Sequence, residues 1–424
     1  MEKKIAVICF EILLFFTFFG SILSLSILPA FPGLKLFLTF LRYGSYFYIC
    51  VLLFKEKRIS SFSVLGRPFI YLFIYFLFIG LLSLPDFLTW GVDGFKHYKQ
   101  IFIFLLLFDA YYNYEKLTGK KQKHLLSRFV FWAVLFSVVN ISLFISAPPF
   151  VNKIYVGRFS VGYPTEESVI LSMAFAVVLY SSYVYYRSNI RLLFTIVLFL
   201  QCVLLFTGSG TVFLILILAV FPLSVIRNLD NKIKKQIRIN FLKFIISILI
   251  LFGIGLSYCL KYYPEIVEIS LPVVENRLLT IMGKESNSSI NTNTQELRND
   301  QYLNHRNQYQ RTLVSKTIGI GFGPVSDDLD KYQYSNRYIF IEDQYKMNLV
   351  TIGFIGSSLY IIVLLSFLLF PFKHKFKLND KILYVLIGII YMLSNKNICA
   401  FDMYGTLSPY LLIWSTMIKD SENN

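Results

Sequence analysis

Arginines, a run of alternating glycines and an acidic pair carry most of the polar chemistry open to this chain. Arg277, Arg298, Arg306, Arg311 and Arg337 all fall within residues 261–346, and Arg158 stands between Gly157 and Gly162 in a second polar stretch. A guanidinium is a planar fork of donors that matches phosphate oxygens, so the cluster reads as a phosphate or diphosphate site. Any one of these arginines taken alone reads better as a lipid headgroup contact or a partner of Glu296, Asp300, Asp327, Asp328 or Asp330. Beside Arg306 and Arg311 runs T-I-G-I-G-F-G-P, with Gly319, Gly321 and Gly323 on a two-residue beat. Glycine there lets backbone come close to a ligand or to membrane-embedded helices. The nucleotide-loop pattern G-x-x-x-x-G-K-[ST] is missing from the stretch. Asp343 and Glu342 are the candidate proton acceptors, with His305 a weaker one. Glu166 and Glu167 open an apolar segment, where negative charge suits a helix N-terminus and capping is the favoured role.

The elements that must position these residues are membrane helices. The chain has 424 residues, 56% hydrophobic and 18% aromatic, with only 16% charged, too apolar for soluble domains of that length. Runs of about 18 or more apolar residues, each able to cross about 30 Å of hydrocarbon, recur along it. The expected fold is an all-α polytopic membrane protein, a single integral membrane domain over residues 1–424. Twelve spans are predicted at 5–28, 36–54, 68–86, 97–112, 128–147, 166–186, 191–208, 211–226, 241–260, 347–370, 382–396 and 404–418. Residues 261–346, between the ninth and tenth spans, form one large extracytoplasmic loop, expected to fold as a partly helical cap.

Charge sets the orientation. Lysine and arginine crowd the segments that face the cytoplasm if the N-terminus does, such as Lys116 to Lys123 and Arg227 to Arg238, and are sparse in the short segments opposite. Both termini are therefore expected inside. Most of the net charge of +16 is topological on this reading, and nucleic acid is not an expected partner. The first span lacks a small-residue cleavage site and is read as a retained helix. Cys9, Cys50, Cys202, Cys259 and Cys399 lie in or beside spans without paired spacing, so neither a disulfide framework nor a metal cluster is expected.

Several short motifs occur in a fixed order. Arg158 precedes a glycine-bearing turn ending at Pro164; Thr207 to Gly210 reads T-G-S-G between apolar spans; Arg306 and Arg311 precede Gly319, Gly321 and Gly323; an acidic pair and I-G-F-I-G, Ile352 to Gly356, follow. This ordered set, most clearly over residues 150–370, resembles the O-antigen polymerase and ligase superfamily. The resemblance implies a polytopic glycosyltransferase of the bacterial cytoplasmic membrane. Such an enzyme moves a growing glycan from its undecaprenyl diphosphate carrier onto the next lipid-linked repeat unit, in O-antigen or capsular polysaccharide synthesis.

By the same resemblance, Arg158 and Arg306 or Arg311 would bind diphosphate or glycan, with Gly319, Gly321 and Gly323 in the same site; the arginine cluster adds Arg298 to it. No cofactor or metal is implied; the partners would be undecaprenyl-diphosphate-linked glycans, membrane lipids, a chain-length regulator and a flippase. The family often has T-G-S-R where this chain has Thr207-Gly208-Ser209-Gly210, which removes one expected basic contact. The ligase branch usually has a His-Asn pair where this chain has Asp343-Gln344, which favours polymerase over ligase. A ligase passing finished glycan to a lipid core is the near alternative, and a flippase for the same glycan the alternative of another class. Transporters usually show internal repeats and charges within spans near the midplane, whereas here the charges gather outside the spans and no repeat is evident.

Overall fold

The computed structural model describes residues 1–23, 27–82, 98–146, 164–181, 188–205, 302–304, 306–307, 310, 312–321, 343–374, 376–397 and 404–422, with single positions between 246 and 264. Among the described residues regular structure is helical and no strand occurs. In chain order the helices are α1 (Glu2–Ile22), α2 (Leu28–Ala30), α3 (Pro32–Lys55), α4 (Ser61–Leu82), α5 (Tyr98–Tyr112), α6 (Tyr114–Thr118) and α7 (Gln122–Ser146). They continue as α8 (Pro164–Tyr180), α9 (Ser188–Leu205), α10 (Leu313–Ile318), α11 (Gln344–Thr351), α12 (Gly353–Lys373), α13 (Leu378–Asn397) and α14 (Tyr404–Glu422).

Among the described residues, five helices are long and apolar enough to cross a membrane: α1, α3 from Gly33, α4, α7 to Leu143, and α12. Large apolar side chains point outward along them, among them Leu36, Phe40 and Phe47 on α3 and Phe354 and Phe372 on α12. In water such a surface would drive aggregation; in lipid it is the required exterior. The protein is therefore an all-α, membrane-embedded chain.

Two helices form the centre. From Glu167 to Val178 on α8 and from Leu407 to Ile418 on α14, nearly every side chain is buried, the mark of a helix covered on all sides. Around this pair pack α1, α5, α7, α9 and α13, while α4 lies against α5 and α12. The interior of α14 is aromatic: Tyr410 stacks on Tyr391 with ring centroids 4.0 Å apart, and Trp414 stacks on Phe367 at 4.1 Å.

Polar side chains tie helix ends together. The Asp109 carboxylate on α5, 4% exposed, accepts the Ser60 and Ser61 N–H groups at 2.8 and 2.7 Å and the Ser61 hydroxyl at 3.0 Å. It thereby satisfies donors that the start of α4 leaves without intrahelical partners. Arg191 on α9 donates to the carbonyls of Val178, Leu179 and Ser181, closing the end of α8. On α7, Arg128 makes a two-pronged ion pair with Glu11 at 2.6 and 2.9 Å, and the Trp132 indole N–H donates to the same carboxylate.

The helices follow the expected spans with local differences. The helix of the third predicted span, α4, starts at Ser61, ahead of the predicted residue 68, because it is two helical pieces joined at Gly66 (φ +75°, ψ −173°) just before Pro68. The first span ends at Ile22, and the short α2 takes up part of the remainder. The tenth splits into α11 and α12, with Gly353 at φ +64° opening the second piece. The predicted span 211–226 lies outside the described residues, as does all but isolated positions of 241–260.

Candidate functional site

Of the expected loop, residues 302–321 are described in part, and they dock on the junction between α11 and α12. The glycine run makes that contact. Gly319 adopts φ +96° and ψ −178°, a region essentially reserved for glycine. A Cβ there would meet the backbone of Thr351 and sit 2.6 Å from the Gly353 nitrogen and 2.7 Å from the Ile352 carbonyl carbon. The approach is reciprocal, since a Cβ on Gly353 would strike the Gly319 nitrogen and lie 2.5 Å from the Thr317 oxygen. Two main chains therefore touch with no side chain between them. Beyond the contact, the Ile320 N–H donates to Val350 O at 3.1 Å and the Gly321 N–H to Thr351 O at 2.9 Å, satisfying carbonyls at the end of α11.

Side chains lock the same docked segment, residues 310 and 312–321, which forms a strap over the junction. The buried Gln310 amide donates to Leu349 O at 2.7 Å and to the carbonyls of Val350 and Ser315 at 3.2 Å. From α4, the Tyr75 hydroxyl shares its one proton between Ile318 O at 2.8 Å and Ile352 O at 3.1 Å. Gly356 makes room for that ring, since a Cβ on it would lie 2.6 Å from Tyr75 Cε1. Thr312 caps α10 by accepting from the Ser315 N–H, with the Ser315 hydroxyl bonded back in a capping box. Tyr75→Phe removes one buried hydroxyl contact worth about 1 kcal/mol. Cleavage of the strap by protease added to the detergent-solubilised protein should become about five-fold faster; an unchanged rate would show that Tyr75 does not hold the strap.

Residues 302–304 and 306–307 are helical, and the Gln310 N–H donates to Arg306 O at 2.9 Å. Arg306 is half-buried. Tyr302, one turn earlier, packs with Met347, Val350 and Ile320 in a small apolar cluster. Lys346 Nζ stands over its ring, 6.0 Å from the centroid. Lys346 did not stand out in the sequence because a single lysine ahead of a span reads as an interfacial anchor.

Asp343 is the N-cap of α11. Its Oδ1 accepts the Tyr345 and Lys346 N–H groups at 3.0 and 3.2 Å, and the residue is buried. Glu167 lies in the first turn of α8, as capping would place it, but it is also 1% exposed and accepts from the Ser21 hydroxyl at 3.1 Å. Arg158, Arg298, Arg311, His305, Glu342 and Gly323 lie outside the described residues, as do Arg277, Arg337 and the T-G-S-G motif. Of the candidate residues, the structure therefore describes Arg306, Gly319, Gly321 and Asp343; Asp343 stands at the start of the eight-residue helix α11 and the glycines at its end, and no hydrogen bond or ion pair joins Asp343 to Arg306 among the described residues.

Behind α11 lies a layer of uncharged polar groups. The Tyr345 hydroxyl donates to Met392 O at 3.0 Å. The Tyr360 hydroxyl reaches Asn395 Oδ1 at 3.3 Å and the Tyr391 hydroxyl at 3.5 Å. Gln344 donates to Asn348 Oδ1 at 2.9 Å. Compared with known proteins, the chain matches no family model and no curated sequence.

Proposed function

We propose that the chain polymerises lipid-linked oligosaccharide repeat units, transferring the growing glycan from undecaprenyl diphosphate to the next carrier-linked unit. In this reading twelve spans cross the bacterial cytoplasmic membrane, both termini are cytoplasmic, and the 261–346 loop covers the outer face. The observation that carries it is the docking of the strap. Two motifs of the ordered set, Gly319-Ile320-Gly321 in the loop and Gly353 within I-G-F-I-G, meet backbone to backbone at the end of α11, and Arg306 lies one turn ahead of Gln310 in the docked segment.

The chemistry needs little beyond fixed charge and alignment. The acceptor hydroxyl oxygen forms a bond to the anomeric carbon, the bond from that carbon to the diphosphate oxygen breaks, and the electron pair leaves with the diphosphate. Arginines held in a water-poor site stabilise that departing charge, and a direct displacement inverts the anomeric centre. The hydroxyl proton passes to Asp343 or Glu342. Arg158, Arg298, Arg306 and Arg311 are assigned to diphosphate or glycan, and no metal is invoked. Loss of turnover on EDTA, restored by a divalent ion, would overturn the metal-free scheme.

The test is chain extension by purified protein given lipid-linked repeat units. Arg306→Ala should lower turnover about 100-fold, the usual effect of removing one preorganised charge-stabilising donor. Arg158→Ala, Arg311→Ala and Asp343→Ala belong in the same series. If all four extended chains at the wild-type rate, this site would be wrong.

A further inference from the structure

We infer that the polar layer between α11, α12, α13 and α14 is a binding site for a neutral sugar ring. The inference starts from buried polar atoms that lack partners. Gln344 Oε1, Ser357 Oγ, Asn395 Nδ2 and the Tyr410 hydroxyl make no hydrogen bond, although the four residues are only 3%, 6%, 0% and 1% exposed. Leaving such a group unpaired in an apolar interior costs about 1–3 kcal/mol, so four together in one layer call for an occupant.

They share a neighbourhood. Asn395 is bonded to Tyr360 through its other amide atom; Ser357 is one turn before Tyr360 on α12; Gln344 adjoins Tyr345 on α11; the Tyr410 ring stacks on Tyr391. The orphaned groups comprise a carbonyl acceptor, an amide donor and two hydroxyls that can do either. None of the four carries a charge, which disfavours a phosphate or carboxylate and matches the alternating donors and acceptors on a sugar ring. The Tyr391 and Tyr410 rings cover one another's faces, so recognition rests on the polar atoms. Below them Tyr360, Tyr391 and Tyr410 line a cleft completed by apolar side chains such as Phe69 and Leu72, so polar recognition ends at that level.

Entry requires α11 to tilt away from α13. The helix break at Ile352–Gly353 supplies the hinge, and the Gly319 contact lies directly on it. Docking of the strap and occupancy of the polar layer are thereby linked at one point. The proposal rests on the polymerase reading for the source of the sugar, which would be the non-reducing residue of the acceptor repeat unit.

The experiment uses full-length protein in nanodiscs and, as probe, the oligosaccharide released by mild acid from the host's lipid-linked pool. Thermal unfolding is followed with and without probe for wild type, Asn395→Leu and Gln344→Leu. Each variant removes an orphaned atom together with one made bond, Tyr360 to Asn395 Oδ1 or Gln344 to Asn348 Oδ1, so each midpoint is first measured without probe and the probe-induced shift is read against that value, which separates this effect from misfolding. The probe should raise the wild-type midpoint by several degrees, and each variant should need at least ten-fold more probe for the same shift. No shift of the wild type at millimolar probe, or an equal shift in all three proteins, overturns the proposal. A wild type that shifts with the probe but never extends lipid-linked units supports the sugar site and overturns the polymerase reading alone.

Discussion

Gly319→Ala should release the strap from the membrane helices and reduce chain extension about 100-fold without preventing insertion. Two costs add. An alanine at φ +96°, ψ −178° is strained by about 1–3 kcal/mol. Its methyl group must also displace backbone of Thr351, Ile352 and Gly353, which no rotamer change can relieve. Together these exceed about 3 kcal/mol, enough to shift docked and undocked populations by more than two decades. Gly353→Ala meets the same contact from the other side and should behave alike. Gly44→Ala on α3, where nothing lies within 4 Å of the added carbon, is the control and should be neutral or slightly stabilising. Wild-type protease resistance of the strap together with wild-type extension in Gly319→Ala would refute the docking role.

The second large effect is on stability. Asp109→Ala deletes the acceptor for three donors at the start of α4 and should destabilise the folded protein by about 3 kcal/mol, counting about 1–3 kcal/mol for each charge-assisted bond lost or donor orphaned and allowing for overlap. Asp109→Asn keeps one carbonyl oxygen for the two N–H groups and should cost roughly half as much. Denaturant titration in mild detergent, with yields of folded protein beside it, measures both. Equal stability of Asp109→Ala and wild type would show that water replaces the carboxylate there.

How much of this could be read from residues alone varied with the range of the interaction. Most described helices announced themselves as apolar runs, because hydrocarbon thickness leaves a helix as the one economical solution. Their ends were less legible: the kink at Gly66 and the division at Gly353 depend on positive φ values that an apolar run conceals. The alternating glycines signalled close approach, and both possible neighbours, ligand and membrane helix, were open. The described contacts of Gly319 and Gly321 are to the main chain of α11 and α12, because the opposing surface carries a glycine of its own. Tyr75 was silent, being one aromatic residue among many in α4, and its partners lie more than two hundred residues away. Asp343, placed just ahead of an apolar segment, has the cap geometry such a position favours.

The long-range bonds also set an order of assembly. Thr17 on α1 and Tyr111 on α5 both bond to Ser408 on α14, across 391 and 297 residues of chain. At a synthesis rate of about 5–20 residues per second, Thr17 waits roughly 20–80 s for that hydroxyl. Throughout that interval the earlier helices are already made while the slot that α14 fills stands open. A chain interrupted before residue 404 would therefore expose the polar edges of α1 and α5 to lipid, and quality-control proteases would meet it as an unfinished bundle.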